Sequence, residues 1–191
     1  MRRGLDRSQE PIHLKLTSYL RSSGASAVIL HPRYVSDNFE GQADWSKVEE
    51  LVQANILPVV GSGDIYDPES AISKLKYSQA AAIMIGRVSR GRPWIFRQCL
   101  ELLTTGSYNR VTLKERLEAA VAHARHMREI SGDNACFRLR TVLMWYTKDL
   151  PGAAALRAAI CREDIVEKQI SMLTKAVQAA EANGFESGQP I

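Results

Sequence analysis

Two glycine-bearing turns carry residue types that can hold an anion: Gly61-Ser62-Gly63-Asp64 and Ile85-Gly86-Arg87. Each follows a short apolar run, 56–60 and 80–85, of the kind that makes a buried parallel strand. A turn of small residues at the end of such a strand lets backbone N–H groups approach an anion with no Cβ between them. Arg87 adds a planar fork matched to phosphate oxygens. Turns on consecutive strands can share one phosphate, the usual arrangement at the mouth of a (β/α)8 barrel. The same residues also fit a plainer role, in which Gly61 and Gly63 turn the chain and Arg87 is solvated; spacing does not choose between the two. His31 ends an earlier apolar run, where it could donate a hydrogen bond to a ring oxygen, act as acid–base, or be structural. Arg33, two residues on, could point into the same mouth. Asp64 could accept hydrogen bonds from ribityl or ribose hydroxyls, or cap its turn. Trp45 and Trp94 read as packing anchors. No metal-ligand spacing and no nucleophile–base pair stands out.

The elements that must position these residues alternate in period. A helix is predicted over 11–22, with Ile12, Leu14, Leu16, Tyr19 and Leu20 covering one side and Gly24 marking its end. A strand follows over 25–30, then a loop over 32–43, and Asp44 as N-cap of a helix over 45–54. The strand 56–60 leads to a helix opened by Asp67-Pro68 and running to about 76. The strand 80–85 is followed by a turn and a helix over 93–103, and residues 1–3 could be a strand stub. Repeated strand–helix units force parallel strands with right-handed crossovers. Three units and a stub are too few to close a barrel of eight strands. The expected fold class is therefore α/β, half of a (β/α)8 barrel whose open edge needs a partner, a second copy or a missing segment.

Gly106-Ser107 separates a second region, where Thr112 and Glu115 form a capping box. Helical periodicity then runs over 113–129, 134–148, 153–160 and 162–182, punctuated by Pro151-Gly152, and the tail from Glu186 is expected to fray. The expected organisation is a partial barrel over 1–104, a small all-α helical domain over 107–184 and a flexible tail over 185–191.

The chain has 191 residues and a formal net charge of +4, unevenly spread. Between 85 and 150 there are twelve Arg and Lys against six Asp and Glu, a basic balance that suits a polyanion. No apolar run approaches the roughly eighteen residues of a membrane span, and no secretory signal is visible. Cys99, Cys136 and Cys161 are widely spaced and form no CxxC pattern, which fits free thiols in a reducing compartment such as the cytoplasm.

Five motifs in register resemble the tRNA-dihydrouridine synthase family. They are His31-Pro32-Arg33, Gly41-Gln42-Ala43-Asp44-Trp45, Gly61-Ser62-Gly63-Asp64-Ile65, Met84-Ile85-Gly86-Arg87 and Gly91-Arg92-Pro93-Trp94-Ile95-Phe96. Arg140 with Trp145-Tyr146 and Leu150-Pro151-Gly152-Ala153 resembles the family's helical domain, closest to the bacterial DusB-type branch, and the resemblance covers about residues 1–175. It implies the C-terminal half of a flavoenzyme that reduces the C5–C6 bond of uridines in tRNA, with FMN as cofactor and NADPH as reductant. By the same resemblance His31 and Arg33 would lie at the reacting ring, and His31, Ser62, Gly63 and Asp64 would contact the flavin, with Gly86 and Arg87 on its phosphate. Arg125, Arg128, Arg138 and Arg140 would grip tRNA. The chain departs from the family at Ser62, where Asn is usual, at Pro32, where Gly is common, and at Thr141-Val142, where Lys-His is usual. The family's proton-donating cysteine lies in the barrel half that is absent, and none of Cys99, Cys136 or Cys161 occupies a matching motif. The resemblance therefore implies a truncated chain with little turnover alone, which could need the N-terminal half to fold. Two other readings fit: a non-catalytic RNA-binding remnant, or another flavin- or phosphate-binding barrel oxidoreductase.

Overall fold

The computed structural model describes residues 1–148 and 153–182. Pro151-Gly152 and the tail over 185–191 lie outside the described residues. The chain divides into two compact units: Met1–Val88 with Ile95–Tyr108, and Ser89–Trp94 with the described residues from Asn109 onward.

The first unit alternates strand and helix in the order β1 (Arg2–Gly4), α1 (His13–Ser22), β2 (Val28–Tyr34), α2 (Ser46–Gln53), β3 (Val59–Ser62), α3 (Pro68–Ser78), β4 (Ala82–Met84) and α4 (Ile95–Thr105). Its four strands pair in sequence order, all parallel. The expected stub at the N-terminus is thus a true strand. Ile29 pairs with Val60 and Val60 with Ala82, while Ser62 pairs with Met84. Alternation along the strands puts these residues on one face. Val28, Leu30, Val59 and Gly61 face the other way, into a core with Val48, Leu51, Ala71, Ile72 and Ile95 from the helices. The two faces are unequal. Ile29 is 44% and Met84 43% exposed, although parallel sheets usually have both faces covered.

Several elements differ from the sequence reading for identifiable reasons. The strand expected over 25–30 runs instead as Val28–Tyr34, through Pro32. Pairing with β1 is irregular there: Arg2 meets His31 but Gly4 meets Tyr34, so the missing proline N–H falls at a bulge. Helix α1 buries His13 and Thr17, whereas Ile12 and Tyr19 are exposed. Thr17 Oγ1 satisfies itself by donating to the His13 carbonyl. Asp44 is not the N-cap of α2; that position is Trp45, with no side-chain cap. The Asp44 carboxylate instead accepts from Arg3 Nη1 at 2.6 Å. Asp67 does cap α3, in a reciprocal box with Ser70.

Gly61 has a packing reason. A Cβ there would lie 2.5 Å from the Trp45 ring and 3.2 Å from Val48. Trp45 cannot easily retreat, since its Nε1 donates to the Gly63 carbonyl at 3.0 Å. Gly61→Ala is expected to lower stability by about 1–3 kcal/mol through overpacking, read as a fall in the urea midpoint.

In the second unit the described elements after the loop Ser89–Trp94 are helical: α5 (Leu113–Ser131), α6 (Ala135–Tyr146), α7 (Ala153–Arg162) and α8 (Val166–Ala182). The expected Thr112–Glu115 capping box opens α5. Leu139, Leu143, Ile160 and Leu173 centre an apolar core closed by Ala120, Ala124 and Ala135. Gln169, fully buried in it, donates from Nε2 to the carbonyls of Ile160 and Glu163, tying off the end of α7.

Candidate functional site

Gly61 and Ser62 of the first expected turn belong to β3 itself, so only Gly63-Asp64 turn the chain there; they and Ile85-Gly86-Arg87 lie at the carboxyl ends of the adjacent parallel strands β3 and β4. Gly63 has φ +116° and Asp64 φ +52°, a left-handed pair that only Gly adopts freely. A Cβ on Gly63 would come within 3.0 Å of Ala43 and 3.2 Å of His31 Cε1. The bare α-carbon is therefore what lets the His31 ring lie against this turn. By contrast, a Cβ on Gly86 would meet nothing within 4 Å, so space is open above the second turn. Arg87, next to it, is exposed, and its guanidinium carbon sits 4.6 Å from the centre of the Phe39 ring. Ser62 is buried at the end of β3.

Arg33 and Asp64 form a buried pair, with Arg33 only 2% exposed. Arg33 Nη2 donates to Asp64 Oδ2 at 2.9 Å and to the Gly41 carbonyl at 2.6 Å, and its Nε donates to the Glu40 carbonyl. Asp64 Oδ2 also accepts from the Ala43 N–H at 2.6 Å. Although burial disfavours the charged carboxylate, these bonds and the Arg33 charge hold Asp64 below its ordinary pKa. The arrangement locks the turn after β3 to the loop after β2.

His31 is half-buried, and its Nδ1 has no hydrogen-bond partner. Burial, together with the charges of Arg2 and Arg33, lowers its pKa to about 4. The ring is neutral at pH 7 and so offers one donor and one acceptor nitrogen. His13 and His123 are also pushed down, chiefly by burial. The unfolded chain then binds protons that the folded chain refuses. Stability should be full above the ordinary value of 6.5 and fall as pH drops from there toward 4. Urea midpoints measured across that window should show the fall, and His31→Gln should lessen it, leaving the share of His13 and His123.

The four arginines proposed for nucleic acid are spread over two helices. Arg125 and Arg128 on α5 line a cleft of about 450 Å³ with Glu129, Glu167, Ile170 and Ser171. Arg128 pairs with Glu167 there. On α6, Arg138 is exposed, while Arg140 pairs with Asp164, donates to the Glu163 carbonyl and lies over Phe137. Among the described ion pairs, Arg125 and Arg138 take no acidic partner. Cys99 and Cys136 are buried and Cys161 is exposed on α7. Among the described residues no His, Cys, Asp and Glu side chains cluster as metal ligands, and no helix is long and apolar enough to cross a membrane.

The profile of one family, described as Dihydrouridine synthase (Dus), matches residues 1–182. The chain belongs to the dihydrouridine synthase family. It is 33% identical over 162 residues to the probable tRNA-dihydrouridine synthase 1 of Synechocystis, covering 84% of this chain and 46% of that protein. It is 35% identical over 147 residues to the probable tRNA-dihydrouridine synthase of Treponema pallidum, covering 73% and 43% respectively. The tRNA-dihydrouridine synthase B of Xanthomonas axonopodis pv. citri is 34% identical over 158 residues, covering 78% and 46%. The chain spans less than half the length of these curated relatives.

Sequence reasoning missed two residues beside the turns, Arg2 and Phe39. Both guanidiniums of Arg2 and Arg87 lie over the Phe39 ring, at 5.5 and 4.6 Å. No spacing signal links positions 2, 39 and 87, because only the sheet order β1-β2-β3-β4 and the loop after β2 bring them together.

Proposed function

We propose that this chain is the C-terminal part of an FMN-dependent tRNA-dihydrouridine synthase. Strands β1–β4 would be the last strands of a (β/α)8 barrel, and the second unit would be its RNA-binding helical domain. The observation that carries this reading is the pair of small-residue turns on adjacent parallel strands, one of them shaped around the His31 ring. The exposed apolar face with Ile29 and Met84 supports the barrel, since that face would be its interior.

The residues fit the cofactor. The bare Gly63 lets the His31 ring lie against its turn, with Nδ1 of that ring an orphaned polar atom, and Gly86 opens on free space. Gly86 and Arg87 would take the phosphate, while Ser62, Gly63 and Asp64 would line the rest of the molecule. A flavin reduced by NADPH would supply the two electrons that saturate the uracil C5–C6 bond. His31, neutral at pH 7, can donate to a ring oxygen without competing as a charge. Arg33 acts at one remove, fixing Asp64 and the loop after β2. Arg125, Arg128, Arg138 and Arg140 would engage tRNA phosphates, and the target base would leave its stack to reach the ring. The proton donor implied by the family resemblance would come from the N-terminal half of the barrel, which could also be required for folding.

The test is co-expression with the N-terminal half of the Synechocystis relative. A yellow complex that forms dihydrouridine in tRNA with NADPH is the expected result. A folded complex that takes up no flavin but binds tRNA would replace the reading with an RNA-binding remnant. Flavin uptake with no affinity for tRNA would favour an oxidoreductase acting on a small molecule.

A further inference from the structure

We propose that Phe39 is the positioning residue of a two-arginine clamp, Arg2 and Arg87, for the phosphate monoester of the bound flavin. The inference rests on the function proposed above and adds to it a residue that recognises the phosphate indirectly.

Phe39 is 58% exposed, yet the loop that carries it is pinned on both sides. Arg2 Nη1 donates to the carbonyls of Tyr34 and Asn38, at 3.2 and 3.1 Å. Arg33 donates to the carbonyls of Glu40 and Gly41. The Asp37 carboxylate accepts from the Tyr34 N–H and from Arg7. Asn38 and Gly41, on either side of Phe39, take left-handed conformations, φ 49° and 63°. A large apolar ring held out on a rigid pedestal is poorly explained by packing.

What sits on that ring explains it better. Arg2 and Arg87 both lie against it, and among the described ion pairs neither is matched with a carboxylate. Arg33, Arg97, Arg128 and Arg140 all are. The distinction matters because a carboxylate consumes guanidinium N–H donors, whereas an aromatic face fixes the cation without using them; in Arg2 the Tyr34 and Asn38 carbonyls take Nη1 alone. Two cations gathered on one ring without an acid repel each other and attract an anion. A phosphate monoester, carrying close to two negative charges at pH 7, matches two arginines better than the single charge of an RNA diester. Arg87 also directly follows Gly86, at the turn where the phosphate is expected.

The experiment measures affinity for FMN and for riboflavin, which lacks the phosphate, by flavin fluorescence in the complemented complex. Phe39→Leu is expected to weaken FMN on the order of three- to ten-fold while leaving riboflavin unchanged. Phe39→Tyr should restore the difference, and Arg87→Met should add little to Phe39→Leu in a double-mutant cycle. Equal losses for both ligands, or no loss for either, would overturn the proposal, since Phe39 would then be a structural or an idle residue. A changed salt dependence of tRNA binding with FMN unaffected would also overturn it, assigning the arginines to backbone phosphates. If the unaltered, folded complex binds no FMN at all, the proposed function itself fails and takes this inference with it.

Discussion

Arg33→Met is expected to destabilise the chain by about 3–5 kcal/mol, the usual consequence of leaving one partner of a buried ion pair behind. Methionine keeps the length and apolar contact of the side chain, so most of the loss would come from charge and hydrogen bonding rather than from a cavity. Asp64 would remain buried with only the Ala43 N–H and its own turn to satisfy it. The carbonyls of Glu40 and Gly41 would lose their donor as well. The urea midpoint should fall steeply near pH 7. It should recover in part in the double variant Arg33→Met/Asp64→Asn, which removes the stranded charge. Equal losses in the single and double variants would instead assign the loss to the Glu40 and Gly41 carbonyls that Arg33 no longer satisfies, and not to the stranded charge.

Gly91→Ala comes next, at about 2–4 kcal/mol, because two penalties coincide. Gly91 has φ +67°, a conformation costly for any residue with a Cβ. That Cβ would also lie 2.5 Å from the Trp145 carbonyl carbon and 2.7 Å from its oxygen. Backbone cannot step aside as a side-chain tip can. The Trp145 carbonyl also accepts from Arg116, and Arg90 lies over the Trp145 ring at 5.0 Å. Urea denaturation followed by tryptophan emission should report the loss, and Gly91→Asn, which tolerates a positive φ but not the contact, should be as damaging.

The arrangement of strands around the candidate site was legible because it follows from local patterns. Apolar runs separated by helix-length segments imply parallel order, and Asp67-Pro68 and Thr112 to Glu115 are local caps that the structure forms as written. The reasons behind individual residues were less legible. Gly61 reads like an anion-turn glycine, but the bulk it avoids is Trp45, sixteen positions away in the chain. Asp44 has the chemistry of an N-cap, but Arg3 on β1 competes for its carboxylate. Arg33 reads as a residue for the mouth and is instead buried against Asp64. Each difference depends on a partner distant in sequence, which no window of neighbouring residues contains. Phe39 is the extreme case, since its role lies wholly in what is stacked on it.

The excursion of Ser89–Trp94 into the second unit bears on how such proteins can be cut and recombined. A graft joined only at the Gly106-Ser107 connection would carry the helices away from a segment whose Arg90 and Gly91 lie against Trp145. Functional chimaeras within the family should therefore need three crossover points, exchanging 89–94 together with everything after 108.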